Sequence, residues 1–497
     1  MDQTIIATAL PTIVSNLGGG KNYSWIGSAF LLAAATLSPL YGKLSDIIGR
    51  KPILYTCLII FLIGSALCGA AQSMVWLIFC RAVQGVGGGR MIQMIQIIIS
   101  DIVTLEERVA FMLLVPFNAN HGINAVPHRC FWINLPTRGA AFFMLFFLNV
   151  STQETKPYNE HLREFDFVGL FLIVAGVVCL LIGFNYSEVS WSSMETIVLV
   201  TIRASLLVIS SVHEALTKKS AIIPRRLFQT RTTAVLLITV FLHSATFFPG
   251  AYYLPVYYQI LGASPTGAGV RMIPFSFGAA LFAIISGIIV SKTKDYRMIM
   301  WIGWAIFTLG YGLMTMLDSH SNTYVFSSPH CAFRSQFMIT HDLAFSAMKV
   351  LYPFVASFGI GSLFQVPLIA LQAAMPRKDV ARSTSAFGFV RTLSGTVGIS
   401  IGQAVFLGTL RRRLQKIPNL SVSTSSSALS ESVRHLSEIA NPNQRAEIIQ
   451  AYTKSISSIW LVCLPMIGAS FLMSALTFID TEILFGNQAY HTGSKSL

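Results

Sequence analysis

Residues 53–70, ILYTCLIIFLIGSALCGA, carry no charge, and runs of similar length recur from one end of the chain to the other. About 20 apolar residues, wound as a helix, are enough to cross the hydrocarbon core of a bilayer. A fold in water could not bury so many such runs in one core, so the chain reads as an all-α polytopic membrane protein whose first partner is the lipid bilayer. Composition agrees: 53% of the 497 residues are hydrophobic and 11% are charged, against about 25% charged in a soluble domain. Lysine and arginine outnumber the acids 35 to 21, a net charge of +14. In a membrane protein that excess marks cytoplasmic loops, so it does not indicate nucleic-acid binding. Six of the seven cysteines lie in or beside apolar runs, and no CxxC or Cys/His spacing occurs. Neither a disulfide framework nor a metal site is indicated, and no cofactor is implied.

Spans are expected at about 24–44, 53–73, 75–99, 130–150, 166–185, 196–216, 232–254, 269–291, 298–317, 349–371, 385–410 and 456–478. Two further segments are imperfect. Residues 2–17 are apolar but short for a crossing, which fits a start that lacks part of its first helix or, as the alternative, a partial crossing. Residues 109–129 hold Asn118, Asn120, His121, Asn124, His128 and two prolines, all costly against lipid. Counting both gives 14 spans. With the N-terminus inside, the basic loops at 42–52, 217–231, 292–297 and 376–382 all fall in the cytoplasm, as loop charge requires. The expected division is an N-terminal bundle (1–150), two linker helices (151–218), a C-terminal bundle (219–480) and a polar tail (481–497).

The charged hinge between the second and third spans, GKLSDIIGRKPIL, carries Gly42, Asp46, Gly49, Arg50 and Lys51. Its glycines permit a tight turn and close helix approach. A carboxylate and a guanidinium here can form charge-assisted hydrogen bonds, although a basic loop that only orients its helices would look similar. The next span contains LIFCRAVQGVGGG, in which Arg81, Gln84 and Gly88 share one helical face. An arginine inside an apolar span costs roughly 2.5 kcal/mol or more unless it meets water or a partner. GVGGG follows no strand, so it is not a nucleotide fingerprint.

The hinge resembles the helix-2/3 signature of the major facilitator superfamily, and the Arg81 stretch resembles that family's helix-4 pattern. DQTIIATALPTIV (2–14) is similar to the helix-1 signature of its 14-span drug:proton antiporters. SDIVTLEER (100–108), AGVRMIPF (268–275) and GTVGISIGQ (395–403) extend the likeness over nearly the whole chain, and fungal-type antiporters are the nearest match. The resemblance implies two six-helix bundles that rock about a central cavity, with two linker helices between them. It implies proton-driven export of small amphipathic molecules, and no enzymatic activity. Arg81, Gln84, Asp2 and His243 would serve proton coupling. Gly42, Asp46, Gly49, Arg50, Lys51 and Asp101 would form a conformational latch. Tyr252, Tyr253, Tyr257, Gln365 and Gln372 are pocket candidates, with Gln403 beside them and Arg271 and Arg391 nearer the span ends. The plasma membrane is the expected location. A vacuolar carrier of basic amino acids, a siderophore transporter, or an inactive relative on the same fold are the alternatives.

The chain departs from the pattern in places. The family's glycine-proline motif in the fifth span is missing from 109–129. Residues 323–347 read as polar extra sequence without helical periodicity. Arg90, Arg138 and Arg203 stand where small or apolar residues are expected. A mis-spliced message would give this combination.

Overall fold

The computed structural model describes residues 23–37, 49–102, 226–293, 295–317, 338–376, 379–417 and 441–475, with isolated positions at 41–48, 136–143, 166–176 and 201–213. The described helices are α1 (Tyr23–Thr36), α2 (Arg50–Gly69), α3 (Met74–Ile102), α4 (Arg231–Ile260), α5 (Pro265–Thr293), α6 (Arg297–Met314), α7 (Met338–Ala374), α8 (Val380–Leu414) and α9 (Pro442–Ala475). One helical turn, Arg226–Gln229, precedes α4. No strand occurs among the described residues. Seven of their helices are long and apolar enough to cross a membrane.

The distribution of side chains is that of a protein solvated by lipid. On α2, Ile59, Ile63 and Leu67 form an exposed stripe at a spacing of four, while Ile53, Leu54, Cys57, Leu58 and Phe61 face inward. The buried set includes Ser65, Arg81, Gln84, Thr246, His243, Gln365, Gln372 and Thr384. Apolar surface is therefore turned outward and polar groups inward, because in lipid a helix gains nothing by hiding a leucine and much by pairing a hydroxyl.

Close helix packing depends on glycine. A side chain at Gly85 would run into the backbone of Phe30 on α1, and one at Gly87 into Cys57 and Phe61 on α2. Gly88 faces the Phe61 ring and Gly89 faces Ala34. The GVGGG stretch thus holds α3 against both neighbours at once, which explains its composition without any nucleotide. The C-terminal half repeats the device: Gly359 packs on the backbone of α6 at Gly303 and Phe307, and Gly361 on α5 at Ala279. Accordingly α7 packs tightly between α5 and α6, and α4 lies along α8 and α9.

Two hydrophobic clusters result. One runs from Leu227 to Ile467 through the C-terminal helices. The other, Phe30 to Ile97, belongs to α1, α2 and α3 but is completed by Ala381 and Ile399 of α8, with Phe248 and Tyr252 of α4 against it. Among the described residues, α4 and α8 are therefore where the C-terminal helices meet α1–α3.

Three expectations need correction, the first being the last span, which begins at Pro442 and not near 456. Residues 338–347 were assigned to non-helical extra sequence, yet the backbone is helical from Met338, ahead of the span expected at 349. Extending an existing helix fixes one residue per hydrogen bond and needs no new nucleus, so the apolar span carries its helix backward into weaker sequence. Arg391, expected near a span end, sits well inside α8, which begins at Val380. The imperfect segments 2–17 and 109–129 lie outside the described residues, as do Arg138, Arg203 and the polar tail.

Candidate substrate and coupling sites

The hinge enters α2 through Gly49, whose φ of 103° is a left-handed conformation that glycine adopts without a Cβ clash. That turn sends Arg50 inward. It is 8% exposed, and its Nη1 donates to Ser45 Oγ at 2.5 Å. Lys51, the next residue, is half-buried. Gly42 and Asp46 lie outside the described residues. Asp101 lies in the last turn of α3, and only its backbone is described. The proposed latch is thus visible on one side only.

Arg81 is 1% exposed at the junction of α1, α2 and α3. Its Nε donates to the Ile26 carbonyl at 3.3 Å, its Nη1 donates to Gln84 Oε1 at 2.5 Å, and its Cζ lies 4.4 Å from the Phe30 ring centroid. Gln84 passes the network on, with Nε2 donating to Ser65 Oγ at 2.7 Å, and Cys68 Sγ stands 3.8 Å from Gln84 Oε1. The i, i+3 spacing read from the sequence therefore carries a direct bond, and α2 supplies the far end. Asp2, the acid expected to join this group, lies outside the described residues.

A second polar centre sits in the C-terminal half. His243 of α4 is 2% exposed and walled by aromatic rings. Phe247 is stacked on it at 6.2 Å, Trp304 and Phe307 meet it edge-on at 6.0 and 5.7 Å, and Phe364 closes the fourth side at 6.4 Å. Neither ring nitrogen reaches a partner in hydrogen-bonding geometry, although the Ile360 backbone lies nearby. Across Phe364 stands Arg391 of α8. Its guanidinium lies between Phe364, at 4.2 Å, and Phe387, at 4.6 Å, with Nη2 donating to the Phe364 carbonyl at 2.5 Å. Its Nε is buried without a partner, as is Trp304 Nε1. Contact with rings offers an enclosed cation up to about 2 kcal/mol. Insertion scales set the cost of a mid-membrane arginine at about 2.5–3.5 kcal/mol.

The remaining pocket candidates divide by environment. Tyr252 is half-buried and faces Gly27 of α1, whose added Cβ would lie 3.5 Å from its ring. Tyr253 and Tyr257 are in the hydrophobic core of the C-terminal half. Gln372 donates to Thr384 Oγ1 at 2.8 Å, a bond between α7 and α8. Gln365 is fully buried and its Oε1 is unpartnered. Gln403 is 8% exposed, whereas Arg271 is solvent- or lipid-facing, with its Cζ 5.9 Å from the Tyr258 ring.

Sequence reasoning missed the walls of the His243 box, because Trp304, Phe307 and Phe364 come from two other helices and look individually like core residues. It also missed a pair between the linker segments. Asp166, 2% exposed, accepts from Gly169 N at 3.0 Å and lies 3.0 Å from His213 Nε2. The Asp-x-x-Gly at the start of one span and the histidine near the end of the next were the available signals.

The model of the Major Facilitator Superfamily matches residues 1–399. The chain belongs to that superfamily. An MFS-type transporter of Schizosaccharomyces pombe is 36% identical over 496 residues, spanning 96% of this chain and 78% of that one. The efflux pump dotC of Dothistroma septosporum is 30% identical over 514 residues, spanning 100% of this chain and 84% of the pump. Among solved structures, a bacterial homologue of the human lysosomal transporter Spinster, in an inward-facing and unoccupied conformation, aligns with a TM-score of 0.52 at 15% identity. That alignment covers 95% of this chain and 93% of the homologue. The nucleoside transporter NupG aligns at 0.51 with 10% identity, over 96% and 97% of the two chains. These structures share the fold. This superfamily member is an all-α, multi-pass membrane transporter acting on small molecules, and not an enzyme.

Proposed function

We propose that this transporter exports small amphipathic molecules across the plasma membrane, driven by proton entry. The 30% identity to a named efflux pump over the full chain is the observation that carries the export reading. Proton coupling is supported by a different feature, the enclosed Arg81–Gln84–Ser65 network at a three-helix junction. Arg81 supplies the positive charge of that network, and the group that titrates against it comes from elsewhere in the chain. Asp2 is the acid placed for that role by sequence, and His243 is the titratable group in the other half. Arg50, Lys51, Gly49, Gly42, Asp46 and Asp101 form the latch that holds one conformation until the halves rock. The described parts of the two halves meet through α4 and α8, so a change at either centre bears on the surface that must open.

The test is accumulation of a panel of fluorescent amphipaths in yeast cells stripped of their own exporters. Expression of the full chain lowers accumulation, and a protonophore restores it. Equal accumulation with and without the protein would contradict export. Export that persists after the proton gradient is collapsed would contradict the coupling.

A further inference from the structure

The polar groups around Phe364 point to a chemical class of substrate. No aspartate or glutamate occurs in residues 231–293, 297–317, 343–374 or 380–414; the single acids of α7 and α9, Asp342 and Glu447, stand near the starts of those helices, and Glu447 is exposed. Arg391 therefore has no carboxylate within the spans of its own half. It is half-buried rather than sealed, as are its neighbours Phe364 and Phe247. Its Nε, both nitrogens of His243 and the Nε1 of Trp304 are four buried polar atoms without a hydrogen-bond partner, gathered around one set of rings. Buried polar atoms are nearly always paired, so a cluster of unpaired ones calls for a partner from outside the chain, water or a ligand.

Resting on the transport reading above, we propose that Arg391, His243 and Trp304, with Phe247 and Phe364 as walls, recognise an aromatic molecule bearing one anionic group. The guanidinium supplies the charge and one free donor. The imidazole and the indole supply further N–H donors. The phenyl faces accept the ligand's ring system. A cation is repelled by the guanidinium, and an aliphatic anion pairs with it without filling the ring-lined walls.

Equilibrium binding to the full chain in lipid nanodiscs tests this with two probes of one shape, naphthoate and naphthamide, which differ in charge. Naphthoate should bind about tenfold tighter or more, the effect of one charge-assisted hydrogen bond. Arg391→Gln should bring the ratio close to one while leaving naphthamide binding within about twofold. Arg391→Lys should keep part of the preference. Equal binding of the two probes by the unaltered protein overturns the proposal, and so does an Arg391→Gln protein that loses both equally. If Arg391→Gln does not fold, the unaltered protein's ratio and its reduction in His243→Phe decide the matter. Flux of the probes in vesicles is read separately. Charge-selective binding without flux sinks the transport reading and keeps the site, whereas flux without charge preference does the reverse.

Discussion

Arg81 and Arg391 meet the same cost in different ways. Both carry a fixed charge at membrane depth, where insertion costs about 2.5–3.5 kcal/mol. Arg81 offsets it with a carbonyl, an amide oxygen and a ring, all within α1 and α3. Arg391 relies on two rings and one carbonyl, and keeps an unspent donor. Lysine can replace the charge of Arg81 but not its planar fork, which serves Ile26, Gln84 and Phe30 at once. Arg81→Lys should therefore lower efflux at least about tenfold with the protein still in the membrane, as measured by probe accumulation against surface expression. Arg81 was legible in the sequence because its cost is visible in a single apolar run. The His243 box was not, since Trp304, Phe307 and Phe364 come from two other helices, and a lone tryptophan or phenylalanine in a span carries no mark of what it faces.

At the scale of elements, the helices follow from charge-poor apolar runs, and most ends fall close to where loop residues begin. The glycines decide how near those helices come. Gly87 lets the backbone of α3 touch that of α2, so Gly87→Leu must push the helices apart or distort one of them. Overpacking of this kind costs about 1–3 kcal/mol. The purified variant should unfold at lower temperature, while a leucine at Gly408, where the structure leaves open space, should not change the transition. The glycine-rich stretch was visible in the sequence, but its partners were not, because composition does not say which helix lies opposite. The start of α7 was misjudged for a related reason: polarity near the end of a span does not stop a helix that already has its core.

At the scale of the whole molecule, the described helices α1–α3 meet the C-terminal helices through α4 and α8, with Gly27 facing Tyr252 across that seam. In a rocking mechanism such a contact forms in one orientation and breaks in the other. Gly27→Cys and Tyr252→Cys, in a background without the native cysteines, should be joined by a short reducible bis-thiol crosslinker that spans the space of the tyrosine ring. Crosslinking should stop the transport that the double variant retains, and reduction should restore it, while the crosslinker leaves each single variant's transport unchanged. Family and fold were accessible from motifs spread along the chain, whereas the seam depended on three-dimensional packing. The most direct test of the account is flux from proteoliposomes that hold the purified chain, under an imposed pH gradient. The probes should have charge fixed across the working range, one neutral amphipath and one naphthalene sulfonate. Protons entering down their gradient should drive at least one probe the opposite way, and its flux should reverse when the gradient is reversed. Flux of the same size and direction with the gradient absent or inverted would contradict proton-coupled transport.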